Sequence, residues 1–475
     1  MKKIILFLLA LSFINCAEDY DDNPVRESIN DFIWDGLNLY YFWQADSPDL
    51  NDSKNDNSQE YNSFLNSYPN PIDFFNHLKL NSTIDRFSVI FSDYTVLEQA
   101  LTGISQSNGL DIELRFKNGS STEVFGWVRY VMPNSDASSK NVQRGAVFYA
   151  INGISLNVDN YRSLLANTTY TLNFADFDSG NITPNGNNIS FTKVPYAENP
   201  IYLSNVYDVG SKKVGYLVYN GFYSAYENDL NTVFTNFQSQ NITHLVLDLR
   251  YNSGGSINTA TRLASMITGQ FGNQVFSKQQ WNSKITNANG GPNSENFLNR
   301  FTNQLANGGN ITSLGLTKIY VITTRSTASA SELIINSLKP YINVIQIGRT
   351  TIGKNEGSIT IYDSPTFQKI NVNPNHNFAM QPIVLKLANV ANFGDYSTGL
   401  VPNIDQAEDL SNLGQLGNIS EPLLETALNY ISTNGRYSNR KFQENPNFIT
   451  STKLLSNFGT LMHVEKGTID LKGLK

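Results

Sequence analysis

Apolar and polar positions change their period along this chain, and each period points to a different kind of element. An apolar run from Ile4 to Ile14 follows Lys2 and Lys3; it is too short to span a bilayer and has the layout of an export signal. Ile29, Phe32, Ile33, Leu37, Tyr40 and Tyr41 then recur at threes and fours, which predicts an amphipathic helix. Trp34 and Trp43 suggest a sugar platform by residue type, but aromatics at helical spacing are better read as core. The Asn/Asp/Ser-rich stretch 46–58 is expected to be an exposed loop. Between about Gln99 and Val194 the pattern becomes short β runs broken by turns, at 110–114, 125–131 and 145–153, the last closing on the turn-forming pair Asn152-Gly153. Beyond Ile201, near-continuous apolar runs at 214–219, 244–249, 318–323 and 344–347 read as strands buried on both faces, with segments of helical spacing such as 331–338 between them. This alternation predicts an α/β core reaching to about Ser432. The Gly/Asn-rich stretch from Phe271 to Asn310 is predicted to be an insertion over a site rather than a core element.

Length and composition narrow the class. At 475 residues the chain has room for about two to four domains, each with its own core. A net charge of −7 with only 16% charged residues excludes both the basic footprint of a nucleic-acid binder and the charge density of a disordered chain. The one cysteine, Cys16, excludes an internal disulfide and any cysteine-based metal site. His77, His244, His376 and His463 lack the spacing of metal ligands, so no metal is expected. Phe13-Ile14-Asn15-Cys16 resembles a bacterial lipobox, with Cys16 as the residue that would carry the lipid. The acidic run Ala17-Glu18-Asp19-Tyr20-Asp21-Asp22 behind it is a solvated linker by composition, and resembles the surface-export tether of some Bacteroidetes lipoproteins. These resemblances imply a protein of the bacterial cell envelope, held on the outer membrane by a lipid anchor.

The residues that carry chemistry follow the apolar run at 318–323. There the strand gives way to Arg325-Ser326-Thr327-Ala328-Ser329-Ala330-Ser331-Glu332 and then to a helix. Small residues at such a junction let the backbone turn sharply and present a hydroxyl at a helix N-terminus, where free amides and the helix dipole favour developing negative charge. Taken alone, serine at that place is also an ordinary N-cap. One helix, turn and strand later comes Gly348-Arg349-Thr350-Thr351-Ile352-Gly353-Lys354. A lysine returned to the serine can act as its base only where burial lowers its pKa enough to leave it neutral.

Ser329-Ala330-Ser331-Glu332 followed at that distance by Gly353-Lys354, together with Asp248-Leu249-Arg250-Tyr251-Asn252-Ser253-Gly254-Gly255, closely resembles the C-terminal processing, or tail-specific, peptidases. Those are serine proteases with a Ser–Lys dyad, and the resemblance runs from about Ser88 to Asp405. It implies Ser329 as nucleophile, Lys354 as general base, and the amides of Ala330 and of Gly254 or Gly255 as the oxyanion hole. It implies no cofactor, and a polypeptide substrate cut through an acyl-enzyme. Ser358 stands where many relatives carry a glutamine that orients the lysine, and is the shorter candidate for that task. Asp248 and Arg250 are read as a fold-supporting ion pair, and a triad through His376 has no local support. Pro133-Asn134-Ser135-Asp136-Ala137 and the strand ending in Ile151-Asn152-Gly153-Ile154-Ser155-Leu156 resemble a PDZ domain. That likeness implies a peptide-binding edge at Gly109, Leu110, Asp111 and Ile112, where Asp111 is expected to repel a terminal carboxylate.

The expected fold class is α/β and multidomain. It comprises a lipoprotein signal and anchor (1–16), an acidic tether (17–25), an N-terminal helical region (26–98), a PDZ-like β-rich domain (99–197), a crotonase-like α/β Ser–Lys peptidase core (198–435) and a C-terminal extension (436–475). The expected activity is that of an exported serine endopeptidase. Two alternatives stand beside it: a surface lipoprotein that holds peptides on the same fold without cutting them, and a glycan binder resting on exposed aromatics. The sequence leaves the oligomeric state open.

Overall fold

The computed structural model describes residue 26 and residues 28–435, 448–456 and 459–465. The export signal, Cys16 and the acidic tether lie outside the described residues. Among the described residues no helix is long and apolar enough to cross a membrane.

The N-terminal region is helical, as its period demands: α1 (Ile29–Tyr40), α2 (Ser58–Asn66) and α3 (Pro71–Leu78). Each begins on a side chain that accepts from a first-turn amide, namely Ser28, Asn57 and Asn70. The apolar stripe of α1 enters the main core, and Trp34 with it, its Nε1 donating to the Asp49 carbonyl at 2.7 Å. Trp34 is therefore packing, not a sugar platform. The stretch 46–58 is largely exposed as expected, but it coils into short 3-10 turns that bury Ser47 and Leu50. Asn38 and Gln44 both donate to the Leu50 carbonyl, so a single leucine anchors a segment whose composition reads as solvent-facing.

Next comes a β-rich unit of β1 (Leu110–Phe116), β2 (Val124–Val131), β3 (Val147–Ile151), β4 (Thr169–Asp178) and β5 (Asn181–Thr192), paired antiparallel in that order. Strand β3 returns as Ile154–Ser155 through Asn152 (φ 53°) and Gly153 (φ 78°), the two positive φ angles that make Asn-Gly a hairpin turn. Between β3 and β4, α4 (Tyr161–Ala166) sets Tyr161 and Leu165 into one cluster with Leu110, Ile112 and Leu172.

The α/β core is built from β6 (Ile201–Val209), β7 (Lys212–Tyr219), α5 (Glu227–Ser239), β8 (His244–Asp248), β9 (Gly255–Ser256), α6 (Ile257–Thr268), β10 (Val275–Trp281) and β11 (Leu298–Arg300). It continues with β12 (Lys318–Thr323), α7 (Ala330–Leu338), β13 (Asn343–Gly348), β14 (Glu356–Ser358), β15 (Ile383–Asn389), β16 (Ile404–Asp405) and α8 (Pro422–Ser432). One sheet has the order β6-β7-β8-β12-β13-β16 and is parallel from β7 onward. Alternate residues leave its two faces: Leu217, Leu245, Leu247 and Val321 join the cluster of α5, α6 and α7, while Tyr216, Val246, Tyr320 and Ile322 pack against α8. Burial on both faces is what the continuous apolar runs required.

Two further strands, β17 (Phe448–Ser451) and β18 (Met462–His463), complete the sheets. The first adds antiparallel to β1, and the second enters a sheet of order β9-β18-β14-β15-β10-β11 on the other side of α6 and α7. This second sheet corrects the reading of 271–310 as an insertion. Phe276, Trp281, Phe297 and Phe301 are buried in the main core, and β10 pairs with β15. The strand is hidden in the sequence because its buried rung is partly polar: Gln279 donates to Asn299, which donates to Ser277.

Candidate active site

The loop that leaves β12 is pinned to the glycine-bearing loop after β8. Thr327 donates through Oγ1 to the Leu249 carbonyl at 2.8 Å, the Ala328 amide to the Asn252 carbonyl at 3.1 Å, and Ser331 Oγ to the same carbonyl at 3.0 Å. The small hydroxyl residues of this junction thus bind two loops together. Ser329 follows at φ 64°, ψ −121°, a left-handed conformation that costs a non-glycine residue about 1–3 kcal/mol and is held by its surroundings. Its Oγ is buried and has no hydrogen-bond partner among the described residues. Gly254, at φ 117°, lies directly against it: a β-carbon there would come within 2.5 Å of Ser329 Cβ and Oγ and 3.2 Å of the Ala330 amide nitrogen. Glycine is needed at 254 for both the angle and the approach.

Glu332 joins the serine to the lysine. Its Oε2 accepts from the amides of Ser329 and of Lys354, each at 2.8 Å, and its Oε1 from the Gly353 amide at 2.7 Å and from Thr351 Oγ1 at 2.5 Å. One carboxylate oxygen therefore carries the backbone of both residues of the expected dyad. Four donors favour its charged form, but burial outweighs them and raises its pKa to about 7. Glu332 has no evident task in the sequence motif beyond its position three residues after Ser329, at N3 of a helix, which is the one local signal of this role.

Lys354 is fully buried, and desolvation lowers its pKa to about 7, against the pull of Glu356 and Asp85. Its Nζ lies 4.4 Å from the centre of the Phe87 ring and donates to the Thr460 carbonyl at 2.6 Å. Neighbouring Arg86 donates to the Gly353 carbonyl at 2.5 Å, so the end of the N-terminal helical region braces the lysine loop. Ser358 does not orient the lysine: its hydroxyl donates to the Met462 carbonyl at 3.1 Å. Phe87, Arg86 and Thr460 are distant in sequence and carried no local signal.

The remaining candidates separate into fold and groove. Arg250 is fully buried between Asp248 and Glu421, a structural ion pair as expected. Asp111 is also fully buried and paired with Arg129, whose Nη1 donates to Ser326 Oγ at 2.7 Å. A neutralised, inward-facing carboxylate cannot repel a peptide terminus, so that expectation is corrected; Asp111 instead ties the β-rich unit to the loop that carries Ser329. Gly109 precedes β1 and Leu110 and Ile112 stand at its start, where Ile112 donates its amide to Thr452 Oγ1 at 2.8 Å. His376 bonds Asp363 through Nε2 and accepts from the Phe378 amide at Nδ1, which leaves no ring nitrogen to serve as base.

Residues 213–363 match the description Peptidase family S41, and residues 28–89 match the Peptidase S41 N-terminal domain. Ser329, Lys354, Gly254 and Gly255 all fall inside the first match, and Phe87 and Arg86 inside the second. Among solved structures, an S41 protease from Bacteroides fragilis is 27% identical, with a TM-score of 0.65 over 85% of this chain and 97% of that one. A photosystem II D1 C-terminal processing protease is 16% identical, with a TM-score of 0.49 over 84% and 97%.

Proposed function

Because the chain belongs to the C-terminal processing peptidases, peptidase family S41, and is by that membership a serine peptidase acting on polypeptides, we propose that Ser329 is its nucleophile and Lys354 its general base. The observation that carries the reading is a buried lysine with a pKa near 7, fastened through Glu332 to a strained serine whose hydroxyl is unpaired. In the reaction, neutral Lys354 takes the proton of Ser329 Oγ as Oγ bonds to the scissile carbonyl carbon. The tetrahedral oxyanion is met by the Ala330 amide and by that of Gly255, since the Gly254 amide already donates to Asn252 Oδ1 at 2.9 Å. Collapse breaks the C–N bond, the protonated lysine gives its proton to the leaving amine, and a water activated by the same lysine releases the acyl group. No step calls for a cofactor.

The β-rich unit is the PDZ-like module of this reading, presenting the β1 edge to peptide. Cys16 and the acidic tether make the protein an exported lipoprotein of the outer membrane. Ser329→Ala and Lys354→Ala are each expected to abolish cleavage of an unfolded polypeptide with the fold retained, and Lys354→Arg also, because arginine cannot shed its proton. Wild-type cleavage by either alanine variant would overturn the dyad.

A further inference from the structure

The segments 448–456 and 459–465 pair with the edge of β1 and with the strands beside the glycine loop and Lys354. Strand β17 pairs antiparallel with β1, Phe448 opposite Arg115 and Ser451 opposite Glu113, and Thr452 then bonds the Ile112 amide. The direction of the chain carries it toward the turn at Asn108-Gly109. This is strand addition to a free sheet edge, the geometry by which extended peptides are held.

The second segment sits at the chemistry. Strand β18 is wedged between β9 and β14, with Met462 opposite Gly255, His463 opposite Ser256, and His463 also opposite Ser358. The Val464 amide donates to the Ser358 carbonyl at 3.1 Å, Ser358 Oγ donates to the Met462 carbonyl, and Lys354 Nζ donates to the Thr460 carbonyl. The glycine loop, the lysine and the strand after it are thus all engaged by one stretch of backbone. Met462 is fully buried in the main core, so apolar burial adds to these bonds. One cavity of about 360 Å³ is lined by Leu110 and Ile112 of β1, by Gly254 and Gly255 of the glycine loop, and by Thr452 and Leu461 of the two segments.

We propose that residues 448–456 and 459–465 are a cis-acting occupant of the substrate path, an internal competitor that a polypeptide must displace from the β1 edge and from the slot between β9 and β14. The proposal rests on the peptidase reading for its consequence in catalysis, but not for the occupancy itself. It also specifies how substrate is held: as an extended chain, hydrogen-bonded through its backbone to Gly255-Ser256 and Ser358, which demands a locally unfolded polypeptide. The lysine is part of the lock, since its Nζ is spent on Thr460 rather than on Ser329.

The test uses the full chain carrying Met462→Asp and Val464→Pro, which places a charge in the core and removes the amide that bonds Ser358. A labelled synthetic peptide spanning 448–465 is titrated against wild type and variant, and cleavage of an unfolded polypeptide is followed for both. A cleft occupied nine-tenths of the time weakens apparent affinity about ten-fold, so the variant is expected to bind the peptide and cleave at least about ten-fold better than wild type. Equal peptide binding by the two forms, or by neither, would overturn the proposal. Peptide binding confined to the variant, with no cleavage by either form, would fail the peptidase reading and sustain the occupancy. Hydrogen exchange on wild type guards against a misfolded variant: the Val464 amide is expected to be protected, and to lose protection when saturating peptide is added. Unprotected exchange there would overturn the proposal as well.

Discussion

Glu332 holds the amides of Ser329 and Lys354, the proposed nucleophile and base, so its replacement separates positioning from chemistry. In Glu332→Gln one oxygen still accepts, but the amide group turns donors toward donors, and the Gly353 amide or the Ser329 and Lys354 amides lose their acceptor. The expected result is a fall in kcat of about ten- to a hundred-fold with KM little changed, and unaltered kcat would exclude a positioning role. As the proposed base, Lys354 is expected to set the pH dependence. Activity is expected to rise with pH through about 7, as the lysine gives up its proton. Glu332 titrates over the same range, and Glu332→Gln separates the two because the rise persists in that variant only if it belongs to the lysine. Stability follows the same group. With a folded pKa near 7 against an ordinary 10.5, the unfolded chain binds more protons between those values, so the contribution of Lys354 to stability rises with pH across that window. Lys354→Met is expected to be more stable than wild type at pH 7, by an amount on the order of 3–5 kcal/mol less what the lost Thr460 bond supplied, with the gap closing toward pH 10.5. Denaturant unfolding at the two pH values measures it.

At the scale of elements, the proposed site is built on two loops held in contact, one after β8 and one after β12. Gly254→Ala is expected to lower kcat/KM by about a hundred-fold or more with the fold intact by circular dichroism, because its methyl group would press on Ser329 and the angle at 254 disfavours any side chain. Unchanged activity in that variant would contradict the packing described. Much of this was legible. Continuous apolar runs gave the parallel strands, the small-residue junction gave the turn into α7, and the return to Lys354 gave a buried lysine whose amide shares the Glu332 carboxylate with that of Ser329. What was not legible has physical reasons. Strand β10 keeps Ser277 and Gln279 buried by pairing them with Asn299, which defeats an apolar count. Leu50 anchors a polar stretch alone. The neutralisation of Asp111 depends on Arg129, a cross-strand partner that no local pattern identifies. The hold on Lys354 comes from Phe87 and Thr460, far from it on either side, and only the folded chain brings them together.

For the whole molecule, the N-terminal helices, the β-rich unit and the segments beyond 448 all converge on the loops of the α/β core, so each is placed to govern access or geometry there. The proposed attachment to the envelope rests on the other end of the chain, at Cys16. Cys16→Ser is expected to release the protein from the membrane fraction without loss of activity, as no step above uses a thiol; soluble wild-type protein beginning beyond residue 16 by mass spectrometry would refute the anchor. The central claim is an acyl-enzyme on Ser329, and the most direct measurement is mass-spectrometric mapping of enzyme quenched in acid during turnover of a polypeptide. An acyl group on the peptide containing Ser329, present in wild type and absent from Ser329→Ala, is the expected result. Turnover with no adduct on Ser329, or with the adduct on another residue, would contradict it.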